Sequence, residues 1–98
     1  VLPIQIEREM WRITQEALNN VSKHAEAQHV WVSWMLEKNK VLLTIHDDGK
    51  GFELTNRKKE SFGLIGMRER ADTIHAQLRV NSSPGKGTTI ETEVEVPK

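Results

Sequence analysis

The sequence predicts an α/β two-layer sandwich, in which two helices cover one face of a mixed, mostly antiparallel sheet. Two observations support this fold class. Apolar residues recur at helical spacing in two segments and alternate with polar residues in others, in the order helix, strand, strand, helix, strand, strand. With 98 residues, the chain is long enough for one hydrophobic core but not for two. We therefore expect residues 1–98 to form one domain.

The composition narrows the classes of function. Fourteen basic and fourteen acidic residues give a net charge of zero, which disfavours a nucleic-acid or membrane surface. The absence of cysteine excludes disulfides and thiolate metal sites. No apolar run approaches the roughly 20 residues of a membrane span, and the first residues look like a cut into a longer protein. We expect a soluble, N-terminally truncated fragment.

The first predicted helix runs from Ile4 to His24, and Pro3 suits its start because proline is tolerated in the first helical turn. Glu16, Asn20 and Lys23 follow one another at i, i+4 and i+7, so a carboxylate, an amide and an ammonium point the same way. This stripe is either the polar edge of a surface helix or one wall of a pocket. The cost of placing asparagine in mid-helix invites a functional reason. The apolar residues share one wide arc, the expected buried face: Ile6, Met10, Ile13, Ala17 and Val21.

A hairpin is predicted next. Residues 28–37 alternate between apolar and polar as a strand does, residues 38–39 form a short polar turn, and residues 41–46 read as a second strand. Because Trp31 and Trp34 fall on opposite faces of the first strand, at least one of them should be partly exposed.

The second half repeats the pattern after a polar loop that extends to Ser61. Residues 62–75 predict the second helix, residues 77–81 and 88–96 predict two strands, and residues 82–87 form the turn between them. The buried positions of the second helix are expected to be Leu64, Met67, Ala71 and Ile74.

Three glycine clusters lie at the ends of these elements. They are Asp-Asp-Gly-Lys-Gly at 47–51, Gly-Leu-Ile-Gly at 63–66 and Gly-Lys-Gly-Thr at 85–88. Glycine lets a ligand approach backbone N–H groups, and the second cluster also opens a helix, so these clusters suit phosphate. Each could equally be a plain turn. The first fits no calcium loop, and the spacings match neither a P-loop nor a dinucleotide fingerprint.

Taken in order, the sequence motifs resemble those of the GHKL ATPases, which have the Bergerat fold. Gln-Glu-Ala-Leu-Asn-Asn-Val-Ser-Lys-His-Ala at 15–25 is similar to their N box, and the three glycine clusters are similar to their glycine boxes. Gly-Leu-Ile-Gly-Met-Arg-Glu-Arg at 63–70 resembles in particular the catalytic ATP-binding domain of bacterial sensor histidine kinases related to nitrate/nitrite sensors. The resemblance covers residues 3–97.

This resemblance implies a function. The domain would bind ATP and Mg²⁺, and the intact protein would transfer the γ-phosphoryl group to a histidine of its dimerisation domain, with a response regulator downstream. The fragment would lie on the cytoplasmic side of a membrane-anchored sensor and, lacking the phosphoacceptor, would not phosphorylate itself. One alternative is a non-catalytic nucleotide-binding or protein-interaction module that uses Trp31 or Trp34. Another is a GHKL protein that hydrolyses ATP to drive conformational change, which the short lid disfavours.

The resemblance also implies roles for the residues of the N box. Glu16 would orient or activate the nucleophile, and Asn20 would bind Mg²⁺. Lys23 and His24 would lie towards the phosphates, with Lys23 the better candidate. For His24, a partly buried structural role is equally open.

The glycine boxes would form the rest of the site. Asp47 would accept a hydrogen bond from the adenine 6-amino group, Thr88 would support it, and residues 53–62 would be the ATP lid. Arg68 and Arg70 are candidates for phosphate contact or for pairing with acidic residues of the domain, and pairing is favoured for Arg70. An edge strand before the first helix is expected to be missing, which would permit weak dimerisation. The other expected nucleotide-binding residues are Gly49, Gly51, Gly63, Leu64, Gly66, Met67 and Gly87.

Overall fold

The computed structural model describes residues 2–51 and 63–96. Helix α1 spans Ile4–Asn20 and continues into one π-helical turn, Val21–Ala25, while helix α2 spans Leu64–Thr73. In the part of the chain that the structure describes, neither helix is long and apolar enough to cross a membrane. The four strands are β1 (Val30–Glu37), β2 (Lys40–Asp47), β3 (Gln77–Ser82) and β4 (Thr88–Glu95). The predicted order of elements is confirmed.

The four strands form one sheet in the order β1-β2-β4-β3. All three pairings between the described strands are antiparallel, and the β1–β2 hairpin is confirmed. At one end of the sheet, Asp47 of β2 lies opposite Thr88 of β4, and Thr88 lies opposite Ser82 of β3. The pairing therefore brings the first and third glycine clusters, which are far apart in sequence, to the same end of the sheet.

Both helices pack on one face of the sheet and close a single hydrophobic core, as expected for the two-layer sandwich. The buried arc of α1 matches the predicted one through Ala17, and Val41, Leu43 and Ile45 of β2 alternate with half-buried residues. Burial of these side chains is the main favourable term for folding. The helices and Ile74, which directly follows α2, contribute these residues to the core: Ile6, Met10, Ile13, Ala17, Leu64, Met67, Ala71 and Ile74.

The edge strand β1 behaves differently, because all of its residues are exposed. Trp31 is 52% exposed and Trp34 is 44% exposed, although they lie on opposite faces. The expectation that at least one tryptophan is partly exposed is confirmed by both. The alternation of β1 is that of a half-buried strand, but among the described residues the helices leave its inner face uncovered.

Candidate functional site

A cleft opens where the end of α1 and the start of α2 meet the ends of β2 and β4. The empty space in and in front of it, counted together with open solvent, is about 430 Å³. Its apolar lining comes from Ala17, Val21, Ala25, Ile45 and Ile90. Six of the predicted site residues also line it: Asn20, His24, Asp47, Gly51, Leu64 and Thr88. The structure thus joins the N box to all three glycine clusters.

Asp47 supplies the buried carboxylate of the cleft, with 4% of its surface exposed. Its Oδ1 accepts a hydrogen bond of 2.8 Å from the backbone N–H of Gly49. An ionised carboxylate has only acceptor sites, and burying it among apolar side chains is costly unless donors surround it. The arrangement therefore suits a ligand that presents an N–H donor to the cleft.

Ser82 supports this end of the cleft, although it was not among the predicted site residues. Its Oγ donates to the backbone carbonyl of Gly87 at 3.0 Å and lies 2.8 Å from Thr88 Oγ1. Gly87 has a φ of +73°, and a Cβ atom there would overlap the backbone carbonyl of Asp47. Glycine is therefore required where these strand ends approach each other. The only sequence signal for Ser82 was its place opposite Thr88, which depends on the strand register.

The π turn decides which side of the N box faces the cleft. In a regular α-helix, Lys23 would continue the line of Glu16 and Asn20. The π turn has more residues per turn, so it rotates Lys23 away from that line and brings His24 onto it. His24 accordingly lines the cleft with Asn20, whereas Lys23 is exposed and is not among the lining residues. The predicted i, i+4, i+7 stripe assumed a regular α-helix to its end.

The loop after β2 packs closely against the π turn. Lys50 N–H donates to the carbonyl of Ala25 at 2.8 Å, and a Cβ atom at Gly49 would overlap that same carbonyl. On its other side, the loop carbonyl of Lys50 accepts from Gly85 N–H at 2.6 Å. These contacts hold the first glycine cluster between the helix end and the turn before β4.

The second glycine cluster is divided between the core and the surface. Gly63 precedes α2 with a φ of +71° and lies against the half-buried Glu16. Met67 is fully buried in the core, and Gly66 is exposed with open space around its Cα. The predicted lid, residues 53–62, lies outside the described residues. Glu16, Lys23, Gly49, Gly63, Gly66, Met67 and Gly87 are not among the residues that line the cleft.

Asp48 is a second aspartate that the sequence did not mark. Its carboxylate accepts from the backbone N–H groups of Gln28 and His29, each at 2.9 Å, and pairs with His29 Nδ1 at 2.9 Å. The backbone N–H of His29, followed by its side chain, holds the pKa of Asp48 below its ordinary value. Arg70 forms the expected ion pair, with Glu9 at 3.1 Å.

Comparison with known proteins agrees with the expected family. The family described as histidine kinase-, DNA gyrase B-, and HSP90-like ATPase matches residues 5–98. The signal transduction histidine-protein kinase/phosphatase DegS of Brevibacillus brevis is 46% identical over 88 residues, covering 90% of this chain and 23% of the relative. The sensor protein VraS of Staphylococcus aureus is 39% identical over 97 residues, covering 99% and 28%. The chain thus spans about a quarter of the length of these relatives.

Solved structures show the same fold. The blue-light activated histidine kinase of Erythrobacter litoralis aligns with a TM-score of 0.82 at 20% identity, covering 97% of this chain and 32% of the other. The ATP-binding domain of PrrB from Mycobacterium tuberculosis aligns with a TM-score of 0.77 at 21% identity, covering 93% and 69%. The family match spans nearly the whole chain and agrees with the grouping of the N box and glycine boxes around one cleft. The chain therefore belongs to the histidine kinase-, DNA gyrase B- and HSP90-like ATPase family.

Proposed function

We propose that this chain binds ATP with Mg²⁺ in the cleft and that, within a longer protein, it provides the γ-phosphoryl group for transfer to a histidine of a dimerisation domain. The observation that carries the proposal is the buried carboxylate of Asp47, placed beside Thr88 in a cleft that apolar side chains line for the most part. The kinase names of the relatives support the transfer step.

Asp47 would select the base. Its carboxylate would accept the 6-amino group of adenine, while the apolar side chains of Ile45 and Ile90 would contact the ring. Guanine carries a carbonyl at this position, which would face the carboxylate and leave two acceptors without a donor. Thr88 and Ser82 would hold the surrounding strand ends in place through their hydroxyl contacts.

Asn20 is the residue that would hold Mg²⁺. The described residues contain no group of three or more histidine, cysteine or carboxylate side chains that could form a metal site by itself. Mg²⁺ binds hard oxygen ligands and keeps several waters, so one amide oxygen fits an ion that arrives with the nucleotide phosphates. The bound ion would neutralise phosphate charge. We assign His24, rather than Lys23, to the neighbouring cleft wall.

Glu16 would act on the acceptor. It lies against Gly63, at the N-terminus of α2, and a helix N-terminus is a favourable place for phosphate. A carboxylate there would orient the acceptor histidine and receive its proton, while transfer itself depends on positioning and charge neutralisation. A response regulator would receive the phosphoryl group next. The sensor names of the relatives support a place on the cytoplasmic side of a membrane-anchored protein.

A second candidate function is a protein-interaction module with the same fold. The observation that favours it is the exposure of β1, with Trp31 and Trp34 available to a partner on opposite faces. This alternative requires no nucleotide in the cleft, so the two candidates differ in one measurable property.

Calorimetric titration with ATP and GTP, with and without Mg²⁺, tests the proposal. We expect Mg²⁺-dependent binding of ATP and much weaker binding of GTP. Asp47→Asn should lower ATP affinity by at least about tenfold, whereas Asp72→Asn, at an exposed aspartate of α2, should not. Equal affinity for both nucleotides, or no binding of either, would contradict the proposal. Phosphorylation of an added histidine-bearing dimerisation domain then tests transfer.

A further inference from the structure

Asp48 follows Asp47 but points away from it, to the segment that leads into β1. We propose that Asp48 and His29 form a clamp that positions the Asp47 carboxylate for adenine recognition. This inference rests on the proposed function, because it assigns a positioning role towards the same base. Asp48 and His29 would act through Asp47 and would not contact the nucleotide.

The clamp uses both oxygens of the Asp48 carboxylate. Oδ1 accepts from the backbone N–H groups of Gln28 and His29, and Oδ2 pairs with His29 Nδ1. The backbone N–H of Asp48 also donates to the carbonyl of His29 at 3.3 Å, one step beyond the β1–β2 register that ends at Val30 and Asp47. Asp48 therefore ties the chain immediately after β2 to the chain immediately before β1.

The position of Asp48 in the chain connects these hydrogen bonds to the cleft. Asp48 lies between Asp47 and Gly49, and Gly49 N–H donates to Asp47 Oδ1 at 2.8 Å. The peptide that carries this N–H begins at the carbonyl of Asp48. Fixing Asp48 thus fixes the direction of the donor that orients the adenine-recognising carboxylate.

The ring of His29 is held from its other side. It stacks on Trp31 with centroids 5.7 Å apart, and Trp31 stacks on His46 at 5.3 Å. His46 Nδ1 in turn lies 2.7 Å from Thr89 Oγ1 on β4. His29, Trp31 and His46 thus form a stack of three rings, and the ring of His29 contacts both Trp31 and Asp48.

The exposure of His29 and Asp48 indicates that the clamp positions Asp47 and contributes little to the stability of the fold. The side chain of His29 is 65% exposed and that of Asp48 is 35% exposed. Pairs of this kind contribute little to the free energy of unfolding because water screens their charges and replaces their hydrogen bonds. Loss of the clamp should therefore loosen Asp47 while leaving the fold intact.

A series of three variants tests the clamp by nucleotide titration and thermal unfolding. Asp48→Ala should lower ATP affinity about tenfold and narrow the preference for ATP over GTP, with little change in Tm. Asp48→Asn should retain most of the affinity, because its amide oxygen still accepts both backbone N–H groups. His29→Ala should fall between them, and Asp72→Ala serves as a control at an exposed aspartate.

Amide hydrogen exchange of Gly49, measured without nucleotide, tests the geometry independently. We expect Asp48→Ala to reduce the protection of this amide and Asp72→Ala to leave it unchanged. Unchanged Gly49 protection, or unchanged ATP affinity and selectivity in Asp48→Ala, would overturn the clamp. A third result separates the two proposals: the unmodified chain binds no ATP, but Asp48→Ala still loses protection at Gly49. The ATP proposal and the role of the clamp in adenine recognition would then both fail. Only the structural effect of the clamp on Asp47 would remain.

Discussion

The carboxylate of Glu16 lies directly against the Cα of Gly63, so a Cβ atom at position 63 would overlap Glu16 Oε1. Glu16 lies in α1 and Gly63 directly precedes α2, and strands β1 and β2 lie between the two residues in sequence. Their contact joins the proposed proton acceptor of the N box to the N-terminus of α2. The glycine is needed both for this contact and for its φ of +71°.

Gly63→Ala should therefore impair phosphotransfer more than nucleotide binding. The new methyl group would push the Glu16 side chain aside, and the positive φ would cost about 1–2 kcal/mol of stability. Gly85→Ala is the matched control, because Gly85 has a φ of +79° but open space around it. Equal rates of histidine phosphorylation by the two variants, measured in a protein that carries the acceptor domain, would contradict the role of the contact.

Asn20→Ala should remove the dependence of ATP binding on Mg²⁺. Its amide oxygen is the proposed ion ligand, so the affinity measured with Mg²⁺ should fall to the value measured without it. Asn19→Ala, at the exposed neighbouring asparagine, should keep the full effect of the ion. Titrations with and without Mg²⁺ on both variants make the comparison, and a persistent effect of Mg²⁺ in Asn20→Ala would refute the assignment.

Thr92→Val should raise the free energy of unfolding. Thr92 is fully buried on β4, and among the described residues its Oγ1 has no hydrogen-bond partner. Replacing this hydroxyl by a methyl group of similar shape removes an unsatisfied polar atom and should gain about 1 kcal/mol. Denaturant titration measures the change.

Thr14→Val is the natural comparison for that substitution. Thr14 is also buried, but its Oγ1 donates to the carbonyl of Met10 at 2.9 Å. This variant should show no gain in stability. A similar gain at both positions would mean that the missing partner of Thr92 is not the cause.

The pH dependence of stability should report the Asp48 carboxylate. The hydrogen bonds from His29 hold the pKa of Asp48 below its ordinary value of 3.8, so its contribution to stability is present above that pH and disappears as the folded protein takes up the proton. Asp48→Asn imitates the protonated form. The Tm of the unmodified chain should exceed that of Asp48→Asn slightly at pH 7, and the gap should close below pH 3.8. A gap that stays constant into acid would contradict this.

Local patterns were enough to predict the layers. The apolar arc of α1 and the alternation of β2 and β4 are set by which residues can share one buried face, so they are visible in the sequence. Alternation could not reveal that β1 is exposed on both sides, since that depends on how far α1 reaches across the sheet.

The site was predictable where short motifs define it. Asn20, Asp47 and Thr88 belong to such motifs and meet at the cleft. The π turn was not predictable, because the apolar spacing of α1 fits a regular α-helix up to Val21. The turn alters only the directions of the side chains that follow. The role of Asp48 was also not predictable. Its partners at 28–29 are about twenty residues away and become neighbours only when β1 and β2 pair.

The apolar end of the cleft is also an end of the hydrophobic core, because Ala17, Ile45, Leu64 and Ile90 belong to both. These side chains are only 1–5% exposed, so a planar base seated there would bury its own apolar faces against them. Nucleotide binding would then carry a negative heat-capacity change, as folding does. The Tm would accordingly rise with nucleotide concentration, because a nucleotide that binds only the folded chain stabilises it against unfolding.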